Sequence, residues 1–314
     1  MQQTTQQTPQ QTTQQTMQQT MQQTMQQTMQ NTFIKTADNT NIAISSYITS
    51  NAKAAIVVGS ATGVPRRFYK HFAASANANG FNVYTLDYRG IGDSAPASLK
   101  NYHVDYLDWA RQDLAALVAH AKNTGLPVFV VGHSYGGHAL GLLPNVDDVA
   151  GAYVFGAGAG WSGWMPALEK IKVDILWGVL APILVKLKGY MAWSVFGMGE
   201  DLPYGVYKQW KHWCQYPHYF FDDPHMMPDI KDVFARYQGV LVAANALDDK
   251  WAQPRSRDAF MQGYSQAKFT AIDLRAGDYG LASIGHMGYF LKGSHALWKP
   301  IFETFNHILE GRKA

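Results

Sequence analysis

The pentapeptide Gly132-His133-Ser134-Tyr135-Gly136, followed at once by Gly137, stands directly after the apolar run Pro127-Val128-Phe129-Val130-Val131. A strand that reverses sharply into a helix crowds its turn residue against the positions two before and two after, so small side chains are needed there. Both positions are glycine here, and the turn residue is a serine. The stretch Gly137 to Leu143 that follows is compatible with a helix. Strand, strained turn and helix in that order would hold a hydroxyl out at the top of a sheet. There a histidine could take its proton, and the first turn of the helix could aim N–H groups at a developing negative charge.

The rest of the chain supplies a sheet for such a turn. Short apolar runs broken by Gly, Pro and Asn predict strands near Thr32 to Lys35, Ile42 to Ile48, Ala54 to Gly59, Phe81 to Asp87, Val128 to Gly132, Gly151 to Phe155, Val240 to Ala244 and Thr270 to Leu274. The first two read as an antiparallel hairpin turned at Asp38-Asn39. Helical stretches separate the later ones. Phe68 to Asn79 is one, and Tyr106 to Asn123 carries Leu107, Ala110, Leu114, Leu117 and Val118 on one face. Alternation of this kind predicts an α/β architecture, doubly wound around a mostly parallel sheet. With 314 residues, nearly half of them apolar, the chain is large enough for one substantial core.

Two regions depart from the alternation. Residues 1–32 are a Gln, Thr and Met run of four-residue period, without the basic and apolar regions of a signal peptide. This composition predicts a disordered low-complexity tail, with a frayed helix as the alternative. Residues 161–232, dense in Trp, Tyr, Phe, Met and Pro, separate two expected strands and read as a helical cap inserted in a core of residues 33–160 and 233–314. Within that insertion Val173 to Val185 is apolar, but Asp174, Pro182, Lys186 and Lys188 confine it to about a dozen residues, short of the roughly 20 that span a bilayer. A transmembrane segment is therefore not expected, whereas peripheral membrane contact of the cap is open.

Charge and cysteine content narrow the function classes. A formal charge of +3 with scattered basic residues implies neither nucleic acid nor an acidic surface as partner. The single cysteine, Cys214, excludes an intramolecular disulfide and a thiolate metal cluster, fits a cytoplasmic setting, and reads as core filler. Gly156 to Gly160 resembles half a dinucleotide loop, yet no G-x-G-x-x-G opens a helix there, so NAD is not expected. The His and Asp residues of His218 to His225 lack metal-ligand spacing on a helix and read as a solvated loop. Neither a cofactor nor a metal is expected.

A serine hydroxyl becomes a useful nucleophile when a base is held within hydrogen-bond reach and an acid orients that base. Among eleven histidines, His286 in Ser283-Ile284-Gly285-His286-Met287-Gly288 follows the last expected strand, in a glycine-flanked loop able to reach over Ser134. The acid is expected directly after the strand 239–244, in Asn245-Ala246-Leu247-Asp248-Asp249-Lys250. Loop spacing favours Asp248, with Asp249 as the alternative. For the oxyanion, Tyr135 offers one N–H at the helix start. Gly59-Ser60-Ala61-Thr62-Gly63 offers a second, from Ala61 or alternatively Thr62. His133 points away from Ser134 by strand alternation and reads as a packing or hydrogen-bonding residue. Asp87-Tyr88-Arg89-Gly90-Ile91-Gly92-Asp93-Ser94 lacks the strand-to-helix turn and reads as a brace beneath the site.

Ser134 in its elbow, Asp248 and His286 in that order, together with Ala61-Thr62-Gly63-Val64-Pro65, Asp87-Tyr88-Arg89-Gly90-Ile91-Gly92 and Gly285-His286-Met287-Gly288, resemble the α/β-hydrolase superfamily over about Phe33 to Leu309. Within it the chain is similar to a group of bacterial predicted hydrolases of undefined substrate. The resemblance implies an eight-stranded, capped serine hydrolase acting through an acyl-enzyme. One departure is that the third strand ends in Val58-Gly59-Ser60-Ala61, where many members have His-Gly. The cap residues Trp161, Trp164, Trp177, Trp193, Trp210 and Trp213 suggest a small ester substrate with an apolar acyl or aromatic group. An acyltransferase or thioesterase would use the same triad, and a non-catalytic binding protein is the alternative of another class. Epoxide hydrolase and dehalogenase chemistry is disfavoured, since those place an Asp where Ser134 stands.

Overall fold

The computed structural model describes residues 29–226 and 229–312, so the tail expectation for residues 1–28 lies outside the described residues. Eight strands form one sheet: β1 (Met29–Lys35), β2 (Asn41–Tyr47), β3 (Ala54–Gly59), β4 (Phe81–Leu86), β5 (Val128–His133), β6 (Val149–Phe155), β7 (Val240–Ala246) and β8 (Lys268–Leu274). Their order across the sheet is β1-β2-β4-β3-β5-β6-β7-β8. β1 and β2 pair antiparallel, as do β2 and β4, and every later pairing is parallel. The hairpin between β1 and β2 turns through Asn39, whose φ of 65° suits an asparagine. Residues 29–32, assigned to the tail from sequence, are instead strand, with Met29 opposite Tyr47 and Thr32 opposite Ile44. Their polar composition suits an exposed edge, where one side of the ladder faces water.

Strands β3, β4 and β5 are buried at every position. This is the pattern of strands covered by helices on both faces, and it explains the apolar runs Ala54 to Val58 of β3 and Val128 to Val131 of β5. On one face lie α1 (Lys70–Ala78) and the C-terminal helix; on the other lie a helix over residues 106–122 (α2) and α3 (Tyr135–Leu142). α2 contains a π-helical stretch, Trp109–Leu114, and it buries Asp113 together with Trp109, Ala110 and Leu114. The connection between β6 and β7, residues 156–239, carries α4 (residues 167–188), α5 (Tyr204–Trp213) and α6 (Ile230–Ala235). After β7 come α7 (Pro254–Met261), β8 and α8 (His295–Gly311). In α8 Leu297, Trp298, Ile301, Phe302 and Phe305 are buried at helical spacing, and the Phe305 ring stacks on Phe129 of β5 at 4.2 Å.

The segment after β4 is an ionic tie rather than part of the cavity. Arg89 donates to Asp113 at 2.7 Å and to Asp38 of the β1–β2 turn at 2.6 Å, and its carbonyl accepts the Trp109 indole N–H. Asp87 is salt-bridged to Arg66 and accepts the Arg66 and Asp93 N–H groups at 2.6 and 3.0 Å. Both ties join the β4 end to elements distant in sequence. Asp113 is fully buried, so truncating its partner strands a carboxylate away from water. Arg89→Ala is therefore expected to lower unfolding free energy by about 3–5 kcal/mol, measured by urea denaturation.

Candidate active site

Ser134 has φ 50° and ψ −107°, a backbone conformation that L residues rarely adopt. Close packing around the turn enforces it. A Cβ on Gly132 would stand 2.7 Å from the Gly136 carbonyl carbon, and one on Gly136 would stand 2.1 Å from the Gly59 carbonyl oxygen. No side chain fits either place. The Ser134 N–H donates to the Phe155 carbonyl at 2.8 Å, which pins the turn to β6. The hydroxyl is left at the N-terminus of α3, where the first N–H groups have no intrahelical acceptor.

His286 reaches this hydroxyl from the loop after β8. Its Nε2 lies 3.1 Å from Ser134 Oγ, and its Nδ1 lies 2.9 Å from Asp249 Oδ2. The acid beside the imidazole is thus Asp249, and the preference for Asp248 is corrected. The reason is in the turn: Asp249 N–H bonds back to the Ala246 carbonyl at 3.1 Å, and the Asp249 side chain is carried inward to full burial. There Asp249 Oδ1 accepts the Trp251 and Ala252 N–H groups at 2.9 and 3.0 Å, and Oδ2 also accepts the Tyr289 hydroxyl at 3.0 Å. Asp248 instead accepts the Ile284 and Gly285 N–H groups at 2.8 and 3.0 Å, fastening the loop that carries the imidazole.

The charges follow from these contacts. Burial alone would raise the Asp249 carboxyl, but the facing His286 and the donated N–H groups outweigh it and hold the group below the usual range. For His286, burial pulls downward while the Asp249 charge and hydrogen bond pull upward, and the net direction is up.

A second histidine supports the first from below. His133 is fully buried, and burial, followed by repulsion from His286, pushes it down to about 3, so the ring is neutral. Its Nε2 is 2.8 Å from the His286 carbonyl, which can only accept, so Nε2 carries the proton. Nδ1 then accepts from the Tyr69 hydroxyl at 3.0 Å, and that hydroxyl accepts the Ala61 N–H at 2.8 Å. One directed chain joins the turn after β3 to the backbone of the His286 loop. It has a consequence for the oxyanion: the Ala61 N–H is already donated, so Ala61 is corrected as first choice, and Thr62 is left as that turn's other donor. Sequence reasoning missed Tyr69, Tyr289 and the Trp251-Ala252 amides, because nothing local marks a residue that meets the site only through the fold.

Ser134 and His286 open onto a cavity of about 270 Å³. Ala61, Thr62 and Val64 line one side, and Gly156, Gly158 and Gly160 of the loop after β6 line another. Of the tryptophans named from sequence, Trp193 and Trp210 wall the cavity, joined by Trp251. Trp177 stacks behind them, Trp161 and Trp164 pack on each other, and Trp213 donates its indole N–H to Asp223. His218 pairs with Asp222 and His212 with Asp223, and among the described residues no three ligand side chains converge as for a metal. Cys214 is a free thiol that burial pushes up, as expected of filler.

Sheet order, the serine turn after β5, and an acid and a histidine after β7 and β8 define an α/β hydrolase in fold. The family model described as "Hydrolase_4: Serine aminopeptidase, S33" matches residues 50–192. Comparison with the curated proteins yields no sequence match. Among solved structures, a putative lipase (lip1) from Acinetobacter baumannii AYE superposes with TM-score 0.60 at 14% identity, over 93% of this chain and 97% of that one. A soluble variant of monoglyceride lipase from Saccharomyces cerevisiae, in complex with a substrate analog, gives 0.58 at 16%, over 86% and 92%. A thermophilic esterase from Thermogutta terrifontis gives 0.55 at 16%, over 89% and 99%. At such identities the likeness to these structures is one of fold. The chain has the α/β-hydrolase fold, and residues 50–192 are similar to that hydrolase family model.

His286 is expected to titrate above the ordinary imidazole value of 6.5 in an NMR pH series. In Asp249→Asn the upward pull is gone while burial remains, so the midpoint should fall below 6.5. Asp248→Asn should leave it raised.

Proposed function

We propose that the protein is a serine hydrolase that cleaves an ester-type bond of a small, apolar acyl substrate. The observation that carries this reading is the Ser134–His286–Asp249 relay, at 3.1 and 2.9 Å, at the wall of an aromatic cavity. In the first half-reaction Ser134 Oγ attacks the carbonyl carbon while His286 Nε2 takes its proton. Asp249 fixes the ring so that Nδ1 carries hydrogen and stabilises the imidazolium. The tetrahedral oxyanion would be held by the Tyr135 N–H and the Thr62 N–H. Collapse expels the alkoxide, which leaves as the alcohol with the proton from His286. Water, deprotonated by the same imidazole, then attacks the acyl-enzyme and regenerates Ser134 Oγ–H with release of the acid.

The remaining parts have supporting rather than reacting roles in this reading. Residues 161–232 act as the cap that walls the cavity, Trp193 and Trp210 contacting the acyl group. His133 and Tyr69 are positioning residues, since they touch the His286 backbone and the Ala61 turn but not the reacting atoms.

Hydrolysis of a chain-length series of nitrophenyl esters, with fluorophosphonate labelling in parallel, tests the proposal. Ser134→Ala should lose kcat by about 10⁴-fold or more and lose labelling. Asp249→Asn should lose about 10⁴-fold, and Asp248→Asn less than about tenfold. Absence of turnover by the wild type across the series, together with absence of labelling, would sink the reading.

A further inference from the structure

We propose that the outward face of α4 docks the protein on an anionic lipid bilayer surface, beside the mouth of the Ser134 cavity. Leu168, Ile171, Ile175, Val179, Ile183 and Leu187 lie along this helix, and their exposure runs from 49% at Ile175 to 75% at Leu187. Scattered apolar residues on a surface need no partner, but six at regular spacing on one helix form a contiguous face. Its length is about 28 Å at 1.5 Å per residue.

The local geometry keeps that face in line. A four-residue step advances about 40° around an ordinary α-helix, so four such steps from Ile171 to Leu187 would carry the stripe about 160° off course. Leu176–Leu180 is π-helical, and its wider turn takes back much of that drift. The opposite face is the packed one, with Val173, Leu176, Trp177 and Ala181 buried. No helix among the described residues is long and apolar enough to cross a membrane, so this helix would lie in the interface plane.

Charge and position select the occupant. Lys170 pairs with Asp174 and Lys172 with Glu169, so the N-terminal half is compensated. Past Asp174 the helix has no acid, and Lys186 and Lys188 carry no ion pair among the described residues. Apolar side chains between lysines complement acyl chains beneath anionic headgroups. The same helix is one ring away from the cavity: Trp177 stacks on Trp193 at 5.9 Å and meets Trp210 edge-on at 5.0 Å. Beyond Gly189 the chain runs on to Val195, 65% exposed, and to Gly197 and Met198, which line the cavity. A docked helix therefore sets the cavity mouth at the lipid surface. That the bilayer delivers an acyl ester to Ser134 rests on the hydrolase reading; docking itself does not.

Sedimentation of the full chain with phosphatidylcholine vesicles, with and without phosphatidylglycerol, tests docking, and hydrolysis of a soluble short-chain nitrophenyl ester by the same samples tests the hydrolase reading separately. The wild type is expected to pellet with the phosphatidylglycerol vesicles and less with phosphatidylcholine alone. The variant Ile171→Asn, Ile175→Asn, Ile183→Asn, Leu187→Asn should partition about tenfold less or weaker still, at an unchanged rate on the soluble ester. Wild type that stays in the supernatant with both vesicle types, or a variant that pellets as well as wild type, overturns the proposal. So does a wild-type dimer, seen by light scattering, that the four substitutions dissociate without any vesicle binding, because α4 would then be a subunit interface.

Discussion

The structure depends on one steric constraint, the approach of three backbone segments at Gly59, Gly132 and Gly136. The end of β3 touches the first turn of α3 where any Cβ on Gly136 would overlap a carbonyl, and α3 in turn lies against the end of β5. Because these backbones meet without side chains between them, the chain has to fold back within one residue, and that residue is held at φ 50°. Strain of about 1–3 kcal/mol in such a conformation is tolerable only where the surroundings over-determine it. Here buried parallel strands on both sides do so. The same contact brings the Ala61-Thr62 turn next to Ser134, so the two turns are set by a single packing event.

The acid loop shows a division of labour between neighbours. Asp249 is buried with four donors on two oxygens, a complete set for a carboxylate that must keep its charge away from water. Asp248, one residue earlier, points the other way and holds two amides of the His286 loop. One neighbour orients the imidazole ring and the other fixes the backbone beneath it. The adjacency also explains why sequence favoured the wrong member. Loop spacing after β7 favoured Asp248, but the Asp249 N–H to Ala246 bond closes a turn there, and that turn carries the Asp249 side chain inward.

What could be read in advance follows from range. The inner strands β3, β5, β6 and β7 were legible because buried parallel strands need apolar runs, and the Ser134 turn was legible because its steric demand falls on residues within two positions. The order of Ser134, an acid and His286 was legible because each follows a strand end. The edge strand β1 was cut short, since Met29 to Asn31 continue the Gln, Thr and Met run and show no apolar alternation, although Met29 packs on the core and Asn31 accepts the Ser45 hydroxyl at 2.6 Å. Burial of Asp113 was hidden by the π-helical stretch, which shifts phase relative to the 3.6-residue repeat. The chain Ala61, Tyr69, His133, His286 spans 225 positions in sequence and is set by tertiary structure alone.

π-helical stretches recur with a common physical effect, and this bears on how the cavity relates to the surface. In α2 the extra residue turns Asp113 inward to meet Arg89; in α4 it holds an aliphatic stripe outward while Trp177 stays in the ring stack behind the cavity. A regular helix with the α4 sequence would rotate part of its apolar face toward the body and expose part of its packed face. The bulge lets one helix keep two apolar faces, one bound to the aromatic wall of the Ser134 cavity and one unpartnered among the described residues. An inner face needs no second. The outer one is costly in water for a solitary protein, and Trp177, Trp193 and Trp210 connect it rigidly to the place where the serine lies.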